Sequence, residues 1–224
     1  MRADETRARI LAATDQLFGA LGFDATTTRD IAERSGVNKA LIHYHFHSKD
    51  DLLTVLLDGY YDRLAAEMTA ALNPSLGPEK QIESLVDAYA DFLANNRAFC
   101  SIVQREVANG YHVERIVQRT LPIFQIGTHW LREKMPHAPA ELELAQLLTS
   151  VYGMVVTYFT YGSVLQRLIG VDPFSPEALE VRKRHVRHVV SILFREVIGK
   201  SKQGNGDNTW PPSTRRMPHK KNGS

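Results

Sequence analysis

From Glu5 to about Ile198 the apolar residues recur every three or four positions, and no alternating pattern persists for more than a few residues. A chain patterned this way has helix faces to bury and little from which to build a sheet, so the expected fold class is all-α. The spacing predicts helices over Glu5–Leu21, Arg29–Arg34, Asn38–Tyr44 and from the Ser48 cap to about Leu72. Further helices are expected near Glu79–Asn95, Arg97–Ala108, Val113–Lys134, Ala140–Ile169 and Pro176–Ile198. The punctuation between them is chemical. Gly22 and Gly36 permit the backbone turns that end a helix. Thr26-Thr27-Thr28 and Ser48 supply N-cap hydroxyls, with Asp51 at the capping-box offset from Ser48. Ser175-Pro176-Glu177 reads as an N-cap, a first-turn proline and an acid placed on the helix dipole. Asn73 to Pro78 is a loop by composition, and Pro122 should kink or divide its helix.

Composition narrows the class. At 224 residues the chain is long enough for a sizeable core, and its 23% charged residues suit a soluble protein. No apolar run approaches the roughly 18 residues of a membrane span. The opening MRADETRARI lacks the apolar stretch of a secretory signal. A single cysteine, Cys100, excludes an intramolecular disulfide framework and fits a reducing compartment, so a cytoplasmic location is expected. The net charge of +2 is unevenly spread. Residues 1–53 hold seven cations against eight acids, residues 54–198 hold 14 against 16, and residues 199–224 hold six against one. That last stretch, rich in Gly, Pro, Ser, Asn and Lys/Arg, reads as a disordered basic tail.

Function is concentrated near the start. Two short helices flank Gly36, separated by a few residues, which is the arrangement of a helix-turn-helix. In such a unit the second helix enters the major groove and its first residues meet base edges. Over Asn38–Tyr44, Ile42 is the expected inward anchor, while Asn38, Lys39 and His43 are suited to face outward.

The stretch FDATTTRDIAERSGVNKALIHYHFHSKDDLL, Phe23 to Leu53, resembles the DNA-binding domain of the TetR/AcrR-type transcriptional regulators. The likeness rests on Thr27-Thr28-x-x-Ile31-Ala32, on Gly36-Val37 at the turn, on Tyr44-His45-Phe46, and on Lys49 after the Ser48 cap. It spans about a quarter of the chain. The resemblance implies a domain at residues 1–48, a helical ligand-binding and dimerisation domain at 49–198 joined to it through helix 49–72, and the tail at 199–224. It also implies individual roles. Thr28 would bond a phosphate at a helix N-terminus, and Arg29 a guanine edge or a phosphate. Lys39 would donate to guanine or phosphate, Ala40 would approach a thymine methyl, and Asn38 and His43 would lie at the same surface. Tyr44 and His45 would clamp the backbone and Lys49 would meet a further phosphate. The chain departs from the family at 43, where Tyr is frequent and this sequence has His.

Several sharper motifs give way to plainer readings. His43, His45 and His47 sit two apart, and on a helix such positions diverge by about 200°, so no metal and no cofactor is expected. Arg182-Lys183-Arg184-His185 is read as a solvated face beside a packing seam. Cys100 is read as a buried small hydrophobe. No catalytic triad, phosphate loop or zinc spacing emerges, and the chain is expected not to be an enzyme. In the second half, Tyr89, Phe92, Phe99, Phe124, Trp130, Tyr152, Tyr158 and Phe159 lie at helical spacing. Each is ordinary core material, yet together they suit a cavity for an apolar or aromatic ligand, with Gln125, His129 and Thr157 to orient it. Leu148, Val151, Val155, Gly162 and Leu165 form one stripe, and Val186, Val190, Leu193 and Val197 another. These stripes suggest a four-helix dimer interface. The expected protein is a homodimeric regulator on a palindromic double-stranded operator, most readily a repressor released by a small effector. An activator, an effector-independent regulator, and a helical ligand-binding protein or enzyme are the alternatives.

Overall fold

Helix caps set the element boundaries. The computed structural model describes residues 3–134 and 141–202, with side chains described except at 141–143 and 196–202. It is helical, with no strand among the described residues. The elements are α1 (Ala3–Leu21), α2 (Thr28–Ser35), α3 (Lys39–Phe46), α4 (Lys49–Ala71) and α5 (Pro78–Asn95). They continue as α6 (Arg97–Asn109), α7 (Val113–Lys134), α8 (Glu141–Thr160), α9 (Gly162–Ile169) and α10 (Pro176–Lys202). Thr27 caps α2 in a full capping box with Asp30, Ser48 Oγ accepts from the Asp51 N–H at 3.0 Å, and Ser175 Oγ accepts from the Ala178 N–H at 3.3 Å. The expected basic tail at 199–224 lies largely outside the described residues.

One core runs through the chain. Ile10, Phe18, Ile31, Ile42, Phe46, Leu52, Leu53 and Leu57 bury the faces of α1 to α4 against one another. From Tyr60 and Tyr61 onward α4 turns its buried residues toward α5 and α7. α5 packs on α10, and α1 lies against α6. At that last crossing Gly19 has no side chain where α6 brings Ala98. A Cβ at Gly19 would stand 2.8 Å from the Ala98 Cβ and 3.1 Å from its Cα.

Three expectations change. The apolar stretch from Ala140 to Ile169 is not one helix, because Gly162 begins α9 with the Phe174 ring occupying the space a side chain would need. Pro122 does not divide its helix: it lies inside α7, which continues on both sides as one element. The stripes assigned to a dimer interface face inward. Val155, Val186 and Val190 are buried in the subunit's own core, Gly162 is buried against Phe174, and Leu148 and Val151 pack on that core. Leu165 and Leu193 are half-buried. The side chain of Val197 lies outside the described residues. Such a stripe reports which helix face seeks apolar company, and here that company comes from the same chain.

Gly19→Ala should lower stability by about 1–3 kcal/mol through overpacking at the α1–α6 crossing. This should hold although alanine gains about 1 kcal/mol in helix propensity. A double-mutant cycle with Ala98→Gly, followed by urea unfolding, should show favourable coupling between the two positions.

Candidate nucleic-acid interface and adjoining cavity

The turn between α2 and α3 is held from three sides. Gly36 adopts the left-handed conformation at φ 64°, and the Val37 N–H returns to the Ala32 carbonyl at 3.1 Å. Arg9 reaches across from α1 and donates to the Ser35 carbonyl at 2.6 Å and the Gly36 carbonyl at 3.3 Å. The positive φ is what favours glycine here, since a Cβ at Gly36 would meet only the movable end of the Arg9 side chain, at 2.8 Å. Asn38 then caps α3, its Oδ1 accepting from the Ala40 N–H at 2.9 Å.

Ile42 and Phe46 are buried and fix which face of α3 is left over. Lys39, Ala40, His43 and Tyr44 lie on that exposed face. Tyr44 is 75% exposed, a large aromatic side chain standing in solvent beside His45 with ring centroids 5.1 Å apart. Arg29 on α2 is exposed as well, and Thr28 is half-buried at the first position of that helix. The structure therefore gathers Arg29, Asn38, Lys39, Ala40, His43 and Tyr44 on α2, α3 and the turn between them. Hydroxyls, an amide, a guanidinium and an ammonium at the start of an exposed helix are the groups that read base edges and phosphates.

Two positions depart from their expected use. Lys49 is folded inward: its Nζ donates to the Phe23 carbonyl at 2.8 Å and the Thr26 carbonyl at 3.0 Å, and sits 4.2 Å from the Phe23 ring centroid. It straps the loop before α2 to the start of α4 and is not a free point charge for phosphate. The N-terminus of α2, where Thr28 was expected to receive a phosphate, already has an anion of its own. Asp30 accepts from the Thr27 hydroxyl at 2.7 Å and the Thr27 N–H at 2.8 Å. These bonds hold its carboxyl below the ordinary range.

A titratable bridge joins this module to the rest of the chain. His112, at φ 52° in the turn between α6 and α7, bonds Glu106 of α6 at 2.8 Å and Asp50 of α4 at 3.2 Å. Its ring meets the edge of Phe23 at 5.2 Å. Glu106 is 2% exposed, so its carboxylate relies on His112. Burial disfavours the imidazolium, but hydrogen bonds and charge from Glu106 and Asp50 outweigh it and raise the His112 pKa.

Beyond the bridge lies a cavity of about 400 Å³, walled by α4 to α8 and α10. Of the aromatic residues expected there, Tyr89, Phe99, Phe124, Trp130 and Tyr152 line it. The others do not. Phe92 is fully buried, and Gln125, His129 and Thr157 are exposed away from the wall. Tyr158 donates to the Pro173 carbonyl at 2.7 Å, and Phe159 stacks on Phe174. Tyr61, Gln104, Thr120 and Cys100 line the cavity without having been singled out as ligand contacts. Periodicity marks a face as inward but cannot separate contact with a neighbour from contact with a void. Trp130 is oriented by a 2.6 Å bond from its Nε1 to buried Gln81, whose own amide donates to the Leu76 carbonyl.

The molecule is a helix-turn-helix DNA-binding protein carrying a hollow helical domain. Residues 10–56 match the family described as bacterial regulatory proteins, tetR family. Residues 78–197, more than half of the chain, match the C-terminal domain of the HTH-type transcriptional dual regulator CecR. The chain belongs to the TetR family, and is a transcriptional regulator and not an enzyme. It is 28% identical over 178 residues to the HTH-type transcriptional repressor Rv3405c of Mycobacterium tuberculosis, covering 80% of this chain and 85% of that one. It is 30% identical over 93 residues to the HTH-type transcriptional activator FasR of Mycolicibacterium smegmatis, a match to 42% of either chain. The fold is also that of a tetR-family regulatory protein from Rhodococcus, with a TM-score of 0.67 at 21% identity over 84% of this chain and 96% of that one. No helix among the described residues is long and apolar enough to cross a membrane.

Because the folded-state pKa of His112 is raised, the stabilisation from its bridge is complete below its unfolded value of about 6.5. That stabilisation fades as pH rises through the folded value. His112→Gln should therefore lower the melting temperature most near pH 6 and progressively less toward pH 9, as measured by calorimetry across that range.

Proposed function

We propose that this regulator is a homodimeric repressor that binds a palindromic operator through α3 and leaves it when a small apolar or aromatic molecule fills the cavity. The observation that carries this reading is the double role of α4. Its first half packs under α1 and α3, and its second half supplies Tyr61, Leu64 and Met68 to the cavity wall. A ligand that shifts the second half also shifts the seat of the reading helix. By linkage, operator DNA must then weaken the ligand by the same factor. Repression is supported by the likeness to a repressor over 80% of this chain; activation has the shorter likeness to FasR beside it. The domain division at 48/49 follows the same logic, with α4 belonging to both units. A cytoplasmic location suits a protein whose partner is chromosomal DNA.

In this reading Lys39 and His43 meet bases, Ala40 a thymine methyl, and Arg29, Tyr44, His45 and the free amide hydrogens of Asn38 the surrounding phosphates and base edges. Dimerisation uses the faces that the subunit core leaves free. On α10, Val181, His185, His188 and Ile192 form an exposed stripe, and on α8 the exposed positions Gln146, Thr149 and Thr157 flank Gly153, above which space is open. Two subunits joined there present two copies of α3 to half-sites about one helical turn or more apart.

Fluorescence anisotropy on the DNA flanking the gene should show tight, saturable binding. Lys39→Ala should relax sequence preference in a randomised-site selection, and Tyr44→Phe should weaken all sequences alike. An unaltered preference in Lys39→Ala would reduce Lys39 to a phosphate contact. Ile192→Arg should give a folded monomer by light scattering and lower operator affinity at least about tenfold, as loss of one of two linked half-sites requires.

A further inference from the structure

The cavity wall is unusual in what it lacks. Among the described residues that line it there is no Asp, Glu, Lys, Arg or His. Its ionisable groups are Tyr61, Tyr89, Tyr152 and Cys100, and burial pushes each of them toward the neutral form, the Cys100 thiol to about 11. The remainder is Leu, Ile, Val, Met, Phe and Trp, with two side-chain polar groups, on Gln104 and Thr120, besides the Trp130 N–H. The polar atoms are mostly spoken for. Thr120 Oγ donates to the Tyr61 hydroxyl at 3.2 Å, and the Trp130 N–H is held by Gln81. Tyr89 differs. Its ring stacks on Tyr152 at 6.4 Å between centroids, while no hydrogen bond is made by its hydroxyl among the described residues. A hydroxyl that lines a cavity without a protein partner is open to a hydrogen bond from a polar group that enters.

We propose that the cavity selects an uncharged, chiefly hydrocarbon molecule bearing one hydroxyl or carbonyl, and that the Tyr89 hydroxyl is the hydrogen-bond partner of that group. The inference deepens the effector reading above and rests on it for its regulatory meaning. A carboxylate drawn into this wall would lose its hydration and find no cation, and a quaternary ammonium would find aromatic faces but no counter-charge. A neutral chain with one polar group gives up little, and its polar atom meets the Tyr89 hydroxyl. A volume of about 400 Å³ falls within the range of small-molecule sites.

The test uses the full chain with Trp210→Phe, so that Trp130 in the wall is the sole fluorophore of its type. Decan-1-ol, decanoate, decyltrimethylammonium and n-butylbenzene are titrated at pH 8. The expected result is saturable binding of decan-1-ol at one site per chain, at least tenfold tighter than either charged probe. Tyr89→Phe should weaken decan-1-ol about three- to tenfold, the worth of one net hydrogen bond, and leave n-butylbenzene unchanged. Gly127→Leu fills the space in front of Leu148, where a Cβ meets only methyl groups at 3.6 Å, and should abolish binding without lowering the melting temperature. Equal or tighter binding of decanoate or the ammonium, decan-1-ol affinity unmoved by Tyr89→Phe, binding that survives Gly127→Leu, or no binding of any probe would each overturn the proposal. The effector role is separable. Decan-1-ol held selectively while operator binding stays unchanged keeps the ligand class and removes the regulation. Decanoate held selectively and releasing DNA does the reverse.

Discussion

α4 has one apolar face and must bury it against two bodies at once, and the remaining structure is arranged around that demand. Leu52, Leu53 and Leu57 are buried among the helices that carry the DNA-reading surface. Tyr60, Tyr61 and Leu64, two turns on, are buried against α5 to α7. A rigid helix shared in this way transmits displacement, since close-packed side chains cannot absorb a shift at one end without moving at the other. The bonds around its N-terminus add to this. Lys49 ties it to the Phe23–Thr26 loop, and Asp50 takes one side of the His112 bridge to α6. A helix that ran free between two domains would be a linker; this one is packed at both ends.

The charge distribution of the reading module follows from the same economy of placed groups. Residues 1–53 are slightly acidic, and net charge is a poor index of a nucleic-acid partner for such a unit. Several of its cations make contacts within the protein. Arg9 secures the turn, Arg34 donates to Gln16 at 2.9 Å, Arg7 lies over the Phe46 ring, and Lys49 straps a loop. What remains for DNA is a short exposed face on α3 with Arg29 beside it. With so few groups on that face, the dimer proposed above would double the contacts and make the subunit contact part of the recognition chemistry.

Where the residues carried local instructions, the fold was legible. The threonine cap before α2, the Gly36 turn, the Ser48 cap and the Ser175-Pro176 start all act within a few residues of themselves, and the elements begin within a residue of where they indicate. The outward set Lys39, Ala40, His43 and Tyr44 was equally legible, because Ile42 and Phe46 on a short helix leave only one face. Failures came where the deciding partner lies far along the chain. A new helix starts at Gly162, where Phe174 fills the space of a side chain, and Lys49 turns inward because Phe23 and Thr26 present carbonyls 26 and 23 residues earlier.

The sequence alone therefore determined an all-helical chain, its helix-turn-helix, the outward face of its second helix and the family, since periodicity, caps and motif are local properties of order. Only the tertiary structure decided which inward faces touch neighbours and which border a void, and which stripes belong to the core and which stay exposed. Val186 and Val190 and the exposed Val181 and Ile192 share one helix and nearly one composition. Their roles differ because burial is a property of what the rest of the chain brings to each face, and no spacing within the helix records that.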